Sequence, residues 1–277
     1  MSIKTIKKPD WIVVGFSGGK DSSAVVLRKI ELGEHIDEVI CCDTYKEFPA
    51  MYRHIAKVKK IVEDAGIKFT EIRSERTFDY LMFDHRVNHR NKELQGNLGY
   101  SWAGALSRWC TSKLKIDVID RYVSELRSNY NLIRIIGIAA DEGYRLERET
   151  NQQENQRFPL VEWGWTEEDA LQYCYSKGFD WEGLYEIFRK DEGRCPRVSC
   201  WCCPLQSLDA LRILRKNFPD LWQELNDMDN RTWRNFKDGW SVENLEKRFA
   251  FEEERTAAGL SITNRDFFTE LKKRLGK

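Results

Sequence analysis

The amino-acid sequence predicts an α/β fold: a mostly parallel sheet with helices on both faces, plus a smaller helical, cysteine-bearing C-terminal part. Three observations predict it. Through the first half, short apolar runs alternate with longer amphipathic segments, the pattern of repeated β–α units. A glycine turn, Ser17-Gly18-Gly19-Lys20-Asp21-Ser22, joins the run Trp11 to Phe16 to residues of helical spacing. From Thr166 onward the chain turns helical, with Trp181, Tyr185 and Phe188 at core-like spacing. A chain of 277 residues can bury a sizeable core. The expected division is residues 1–160 for the sheet domain and 161–277 for a helical region packed on it.

Each element has its own signal. Val13 to Phe16 closes an apolar run that reads as a buried strand. Ala24, Val25, Val26, Leu27 and Ile30 then repeat at helical spacing, giving a helix from about Ser22 to Leu32. Glu38 to Cys42 is the next strand, and a helix from Pro49 to Ala65 follows, proline being suited to a helix start. Ile67 to Ile72 and Leu132 to Ala139 are the third and fourth strands, the last preceded by a helix over Lys113 to Ser128. Residues 86–109 break the pattern with a polar stretch, flanked or filled by His85, Arg86, His89, Arg90 and Lys92. It reads as a lid, a substrate-facing loop or a plain solvated connection.

Ligands of parallel sheets bind beyond the carboxyl ends of the strands. The glycine turn, Asp43-Thr44 and the segment Gly137 to Glu142 all fall at such ends, which implies one site. A helix N-terminus offers unpaired N–H groups and partial positive charge, and Gly18 and Gly19 let an anion approach the backbone. Neither the common P-loop spacing nor Gly-x-Gly-x-x-Gly is present in this turn.

The 45 basic and 45 acidic residues balance, so no global field favours nucleic acid or membrane. No window is apolar for long enough to span a bilayer. The opening MSIKTIKKPD lacks a signal-peptide apolar region, so the expected compartment is the cytoplasm. Eight cysteines in that reducing setting point to metal, cluster or redox chemistry. Cys195, Cys200 and Cys203 follow the spacing Cys-x₄-Cys-x₂-Cys, which suits zinc or an iron–sulfur cluster. Cys202 is the spare, either a sulfur-carrying or redox thiol or a buried free cysteine. Cys41, Cys42 and Cys174 lie in apolar patterns and read as core.

Ser-Gly-Gly-x-Asp-Ser resembles the pyrophosphate loop of the ATP pyrophosphatase and phosphoadenosine phosphosulfate (PAPS) reductase superfamily. Asp43-Thr44-Tyr45-Lys46-Glu47-Phe48-Pro49 is similar to the family's Asp-Thr-Gly-x-Glu-Phe-Pro, with Tyr45 in place of glycine. Ser107 to Lys115 resembles its Trp-Cys-Thr-x-x-Leu-Lys segment, and Gly137 to Arg145 its Gly-x-Arg-x-Asp-Glu-Ser-x-x-Arg, with Ala139 replacing the first arginine. Pro159 to Trp163 and a Thr166-capped helix bearing Glu167, Glu168 and Asp169 also resemble the family, and this last segment reads as structural. The likeness runs from about Trp11 to Cys203.

The resemblance implies an adenine nucleotide α-hydrolase-like fold that binds ATP, or alternatively PAPS or adenylylsulfate (APS), with Mg²⁺. It assigns nucleotide binding to Ser17, Gly18, Gly19, Lys20, Asp21, Ser22, Asp43, Thr44, Lys115 and Gly137. Asp21, Lys113, Arg145 and Cys202 are the expected catalytic residues. Cys110, Cys195, Cys200 and Cys203 are the expected ligands of a [4Fe–4S] cluster, with zinc as the alternative. The implied activity is sulfur transfer driven by attack at the α-phosphate of ATP with pyrophosphate release, with nucleic acid as a possible substrate. Sulfonucleotide reduction with sulfite release and non-catalytic regulation are the alternatives. No cysteine follows Cys203, where reductases of the family carry a nucleophile. A sulfur-donor or electron-donor protein and a homodimer are the implied partners, with no membrane.

Overall fold

The computed structural model describes residues 8–89, 91–147, 155–189 and 195–276. They group into two compact units, residues 1–77 with 110–200, and residues 78–109 with 201–277.

The first unit is built on a five-stranded sheet of order β3-β2-β1-β4-β5. Its strands are β1 (Asp10–Phe16), β2 (Glu38–Asp43), β3 (Lys68–Arg73), β4 (Asn131–Ile135) and β5 (Gln156–Arg157). Every pairing is parallel, with Val14 opposite Val39 on one side and Ile135 on the other. The helices α1 (Lys20–Glu31) and α2 (Pro49–Asp64) follow the first two strands. A short helix α3 (Trp109–Thr111) and a wide π-helical turn (Ser112–Ile116) lead into α4 (Asp117–Asn129). Val13, Ile40 and Leu132 bury one sheet face against Val123, Ile119, Tyr122 and Leu126 of α4. Phe16 points to the opposite face, where its ring packs near His54 of α2. Alternate strand residues thus bury both faces, as the fold class requires.

The strand order reverses at β1, whose neighbours are β2 and β4. In open parallel sheets that reversal leaves a crevice outside the carboxyl ends of the two strands. The helices α5 (Pro159–Glu162), α6 (Glu167–Ser176) and α7 (Leu184–Ile187) close the unit, with α5 and α6 against α1. The boundary expected after residue 160 therefore falls inside this unit. The chain after residue 160 stays with the sheet because α6 packs on α1 and buries Ala170, Leu171 and Cys174. β4 ends at Ile135, short of the expected Ala139. The two-residue β5 carried no apolar signal and was not foreseen.

The second unit contains α8 (Leu208–Asn217), α9 (Pro219–Asn230), α10 (Val242–Ala257) and α11 (Arg265–Arg274). Residues 78–109 belong to it, so the polar stretch read as a lid or connection is an integral part of this unit. Trp102 is buried edge-on to Phe236 and donates its indole N–H to the buried Asp229 at 2.7 Å. Arg212, Arg248 and Arg215 make ion pairs with Glu252 and Glu246 of α10.

Candidate active site

Ser17 to Gly19 turn the chain at the carboxyl end of the central strand. Gly18 has φ +78°, and a β-carbon there would stand 2.7 Å from Ile55 Cγ1. Only glycine satisfies both constraints. The turn is braced from within, as the Ser17 N–H donates to Ser22 Oγ at 3.1 Å and Ser22 Oγ donates to the Gly19 carbonyl at 3.0 Å. It is also braced from behind. Trp181 Nε1 donates to the Gly18 carbonyl at 2.8 Å, and the Lys20 N–H donates to the Tyr185 hydroxyl at 3.0 Å.

A helix start leaves its first N–H groups without intrahelical partners. Here Tyr185 takes that of Lys20, while those of Asp21 and Ser22 meet no acceptor among the described residues. These two amides remain to receive an anion. Gly137, just past β4, backs directly onto them: a β-carbon at this position would lie 2.9 Å from Ser22 N and 3.0 Å from Asp21 C. The crevice at the strand reversal is thus formed by main chain on both sides.

Carboxylate oxygens of Asp21, Glu142 and Glu167 lie within 4.8 Å of one another. Three cations answer them. Lys20 Nζ donates to Asp21 at 3.1 Å and to Glu167 at 2.8 Å. Arg145 donates to Glu142 at 2.5 Å, and Arg197 Nη2 reaches Glu142 at 2.8 Å and Glu167 at 3.1 Å. Burial raises the Asp21 carboxyl above its ordinary range, more than Lys20 lowers it. For Glu167 burial pushes the same way, but bonds from Lys20 and Arg197 win and hold it below the usual carboxylate range. Burial would lower the Lys20 ammonium, yet Asp21 and Glu167 together raise it. Clustered hard oxygens of this kind suit Mg²⁺.

Glu167 was read as part of a structural helix. The structure places it in the site because Thr166 and Asp169 form a capping box that fixes the start of α6. Asp141 then accepts the Glu167 N–H at 3.0 Å. Of the acidic pair, Glu142 therefore faces the carboxylate group and Arg145, and Asp141 sets α6. Arg197, hidden between two cysteines, carried no sequence signal toward this site.

At the end of β2, Asp43 accepts from the Tyr45 N–H at 2.7 Å and the Tyr52 hydroxyl at 2.9 Å. Tyr45 takes φ +69°, the left-handed conformation that glycine would adopt freely, and its hydroxyl donates to the Ser74 carbonyl at 2.5 Å. Thr44 is buried and donates to Glu47 at 3.2 Å. Lys115 lies close enough to Cys42 to pull its thiol down, against a burial that leaves it at about 11. Lys113 is exposed and bridges Asp117 at 2.8 Å within its own helix.

The cysteines separate into distinct environments. Cys200 lies beside Thr44 and donates to Glu47 at 3.4 Å. Cys195 contacts Glu168, and burial pushes its thiol up to about 12 against the pull of Lys20. Cys110 is half-buried, and Cys41 and Cys174 are core residues, as expected. In the second unit, Cys202 is buried and Cys203 is half-buried near Lys237. Thiolates at these spacings have the chemistry of a cluster or zinc site. Among the described residues, Cys110, Cys195 and Cys200 of the first unit do not bring their sulfurs within 4.8 Å of one another, the spacing of ligands on a single ion such as zinc.

A parallel sheet with a glycine turn at a helix start and an acidic group at its strand reversal defines an α/β protein of the class expected. The profile of the phosphoadenosine phosphosulfate reductase domain matches residues 11–206, and the chain belongs to that family. An uncharacterised protein of Methanocaldococcus jannaschii is 25% identical over 260 residues, covering 87% of this chain and 46% of the relative. The chain thus spans about half the length of that relative. Among solved structures, the U34-tRNA thiolase NcsA from Methanococcus maripaludis, with its [4Fe-4S] cluster, is similar at 13% identity and TM-score 0.35. That match covers 90% of this chain and 74% of the thiolase chain. Among the described residues no helix is long and apolar enough to cross a membrane.

Proposed function

We propose that this chain is a Mg²⁺-dependent, adenine-nucleotide enzyme that activates an acceptor at the α-phosphate of ATP in the service of sulfur transfer. One observation carries the nucleotide half: two open amides, three carboxylates and three cations converge where the strand order reverses. An acceptor oxygen attacks the α-phosphorus, the α–β phosphoanhydride bond breaks, and pyrophosphate leaves with the bond's electron pair. The proton of the acceptor passes to solvent.

Asp21 and Ser22 N–H groups would hold phosphate oxygens. Asp21, Glu142 and Glu167 would hold Mg²⁺, which supplies charge neutralisation for the departing pyrophosphate. With the metal as their counter-charge, the carboxylates would leave Lys20, Arg145 and Arg197 available to phosphate oxygens, and an arginine fork suits phosphate. The sulfur half of the reading rests on family membership and on the cysteine spacing.

The test is pyrophosphate release from ATP with and without Mg²⁺, alongside sulfite release from PAPS and APS. Mg²⁺-dependent pyrophosphate is the expected result. Sulfite without pyrophosphate would replace this reading with sulfonucleotide reduction. Tight ATP binding without either product would leave a nucleotide-binding regulator. Iron and zinc content after anaerobic purification tests the cysteine set, and a Cys110→Ala variant with full iron would remove Cys110 from it.

A further inference from the structure

The second unit carries a surface that the nucleotide chemistry does not use. Most arginines of α8, α10 and α11 in this unit are tied to carboxylates: Arg212, Arg215, Arg248, Arg255 and Arg274. Arg86, Arg108, Arg231 and Arg234 differ. Among the described residues none of these four has a carboxylate within ion-pair distance, and all four are exposed.

Their placement is not scattered. The segment Arg231-Thr-Trp-Arg234 meets Phe83, His89, Gly99 and Gly104. The Arg231 guanidinium stacks 3.8 Å from the Phe83 ring centre. Trp233 Nε1 donates to the Gly99 carbonyl at 3.3 Å, and the His89 ring packs edge-on to Trp233 at 5.4 Å. Arg234 lies so close to Gly104 that a β-carbon there would stand 3.2 Å from its Nη2. Arg86 pairs with Leu98, next to Gly99, and Ser107, next to Arg108, pairs with Gly104. These contacts bring Arg231, Arg234, the backbone of Arg86 and the residue before Arg108 to one stretch of the second unit, with Trp233 between Arg231 and Arg234 in the chain.

Unpaired cations that flank half-buried rings match a chain of phosphates with bases free to stack. Arginine forks take phosphate oxygens, and aromatic or guanidinium planes take the faces of unpaired bases. An acidic peptide would supply charge but nothing flat for the rings. We propose that the strip formed by Arg86, Arg108, Arg231, Trp233 and Arg234 binds single-stranded nucleic acid.

Fluorescence anisotropy of the full chain with labelled 20-nucleotide single strands, DNA and RNA in separate arms and without ATP, tests this independently of the reaction. Each phosphate contact adds about 0.7 to the slope of log affinity against log salt. Arg108→Gln with Arg234→Gln should lower the slope by about 1.4 and weaken binding about 25-fold at 0.1 M salt. Arg86→Gln should act in the same direction by about half that slope. The control pair Lys272→Gln with Lys273→Gln removes equal charge from the exposed end of α11 and should leave affinity within about twofold. Circular dichroism of each variant separates lost binding from lost fold. No binding by the parent chain, equal loss in the control pair, or tighter binding to a duplex of the same sequence would overturn the proposal. A preference between the DNA and RNA arms, with the variant losses intact, supports it and names the sugar.

Discussion

Glu167→Gln tests the carboxylate group most directly, because it removes one charge and almost no volume. Without metal, Glu167 is held by Lys20 at 2.8 Å and Arg197 at 3.1 Å, with side-chain exposures of 12% for Glu167 and 4% for Lys20. The glutamine oxygen still accepts one bond and Lys20 keeps Asp21, so the metal-free variant should lose only about 1–3 kcal/mol. With metal the loss is of another kind. Removing a ligand group should weaken Mg²⁺ by at least the 10–100-fold typical of outer-shell losses, about 30-fold at the midpoint. At Mg²⁺ 100 times its dissociation constant, the parent gains about 2.7 kcal/mol from binding. The variant, 30-fold weaker, gains about 0.9 kcal/mol at the same concentration. At about 2–4 °C per kcal/mol for a unit of this size, the Mg²⁺-induced rise in melting temperature should fall from about 5–10 °C to about 2–4 °C. Calorimetric melting at matched ionic strength, with Na⁺ as the control, measures it. An undiminished Mg²⁺ shift in Glu167→Gln would refute the assignment of Glu167 to the metal.

Three further outcomes follow from the geometry. Gly137→Ala places a methyl group against Ser22 N and the Asp21 carbonyl carbon, at 2.9 and 3.0 Å, where the obstacle is main chain. It should cost about 1–3 kcal/mol and abolish most ATP binding, and unchanged binding in an equilibrium assay would show that the amides are not the anion site. Tyr45 at φ +69° makes glycine better than alanine by about 1 kcal/mol, so in chemical denaturation Tyr45→Gly should be the more stable of the two replacements, and the reverse order would contradict the left-handed turn. His54 is buried against the Trp181 ring, bonds Ser23 Oγ at 2.8 Å, and has its imidazole pushed down to about 3 by burial. The unfolded chain binds this proton from about pH 6.5 downward and the folded chain does not. The contribution is therefore present above pH 6.5 and falls by about 1.4 kcal/mol per unit toward pH 3. His54→Gln should flatten that part of the stability profile, as read by urea titrations at several pH values, and an unchanged slope would mean that His54 protonates freely in the folded state.

The sheet and the glycine turn were legible because each is a local signal. The apolar run of β1, the Ser17–Ser22 turn and the helical spacing of α1 need only near neighbours, and the structure places them as read. Gly137 was read at the carboxyl end of a fourth strand expected to run to Ala139, and the structure places it two residues past β4. The resemblance located Asp21, Asp43 and Arg145, and the structure gives each a partner in the first unit.

Glu167 and Arg197 show where that reading ends. One is the first residue of a helix with an ordinary capping box, and the other lies between cysteines that drew attention to thiols. Neither spacing nor residue type says that residue 167 meets residue 20. That contact exists because α6 packs along α1, and the packing comes from buried side chains spread over the whole unit. The same holds for residues 78–109. By pattern they were a polar interruption in the sheet domain, but Trp102 and Asp229 bind them to the second helical unit. The sequence by itself determined the strand-and-turn chemistry, which is short-range and fixed by backbone sterics and amide supply. Only the tertiary structure decided which charges share a crevice and which cations stay unpaired, because those depend on long-range burial that no window of sequence contains.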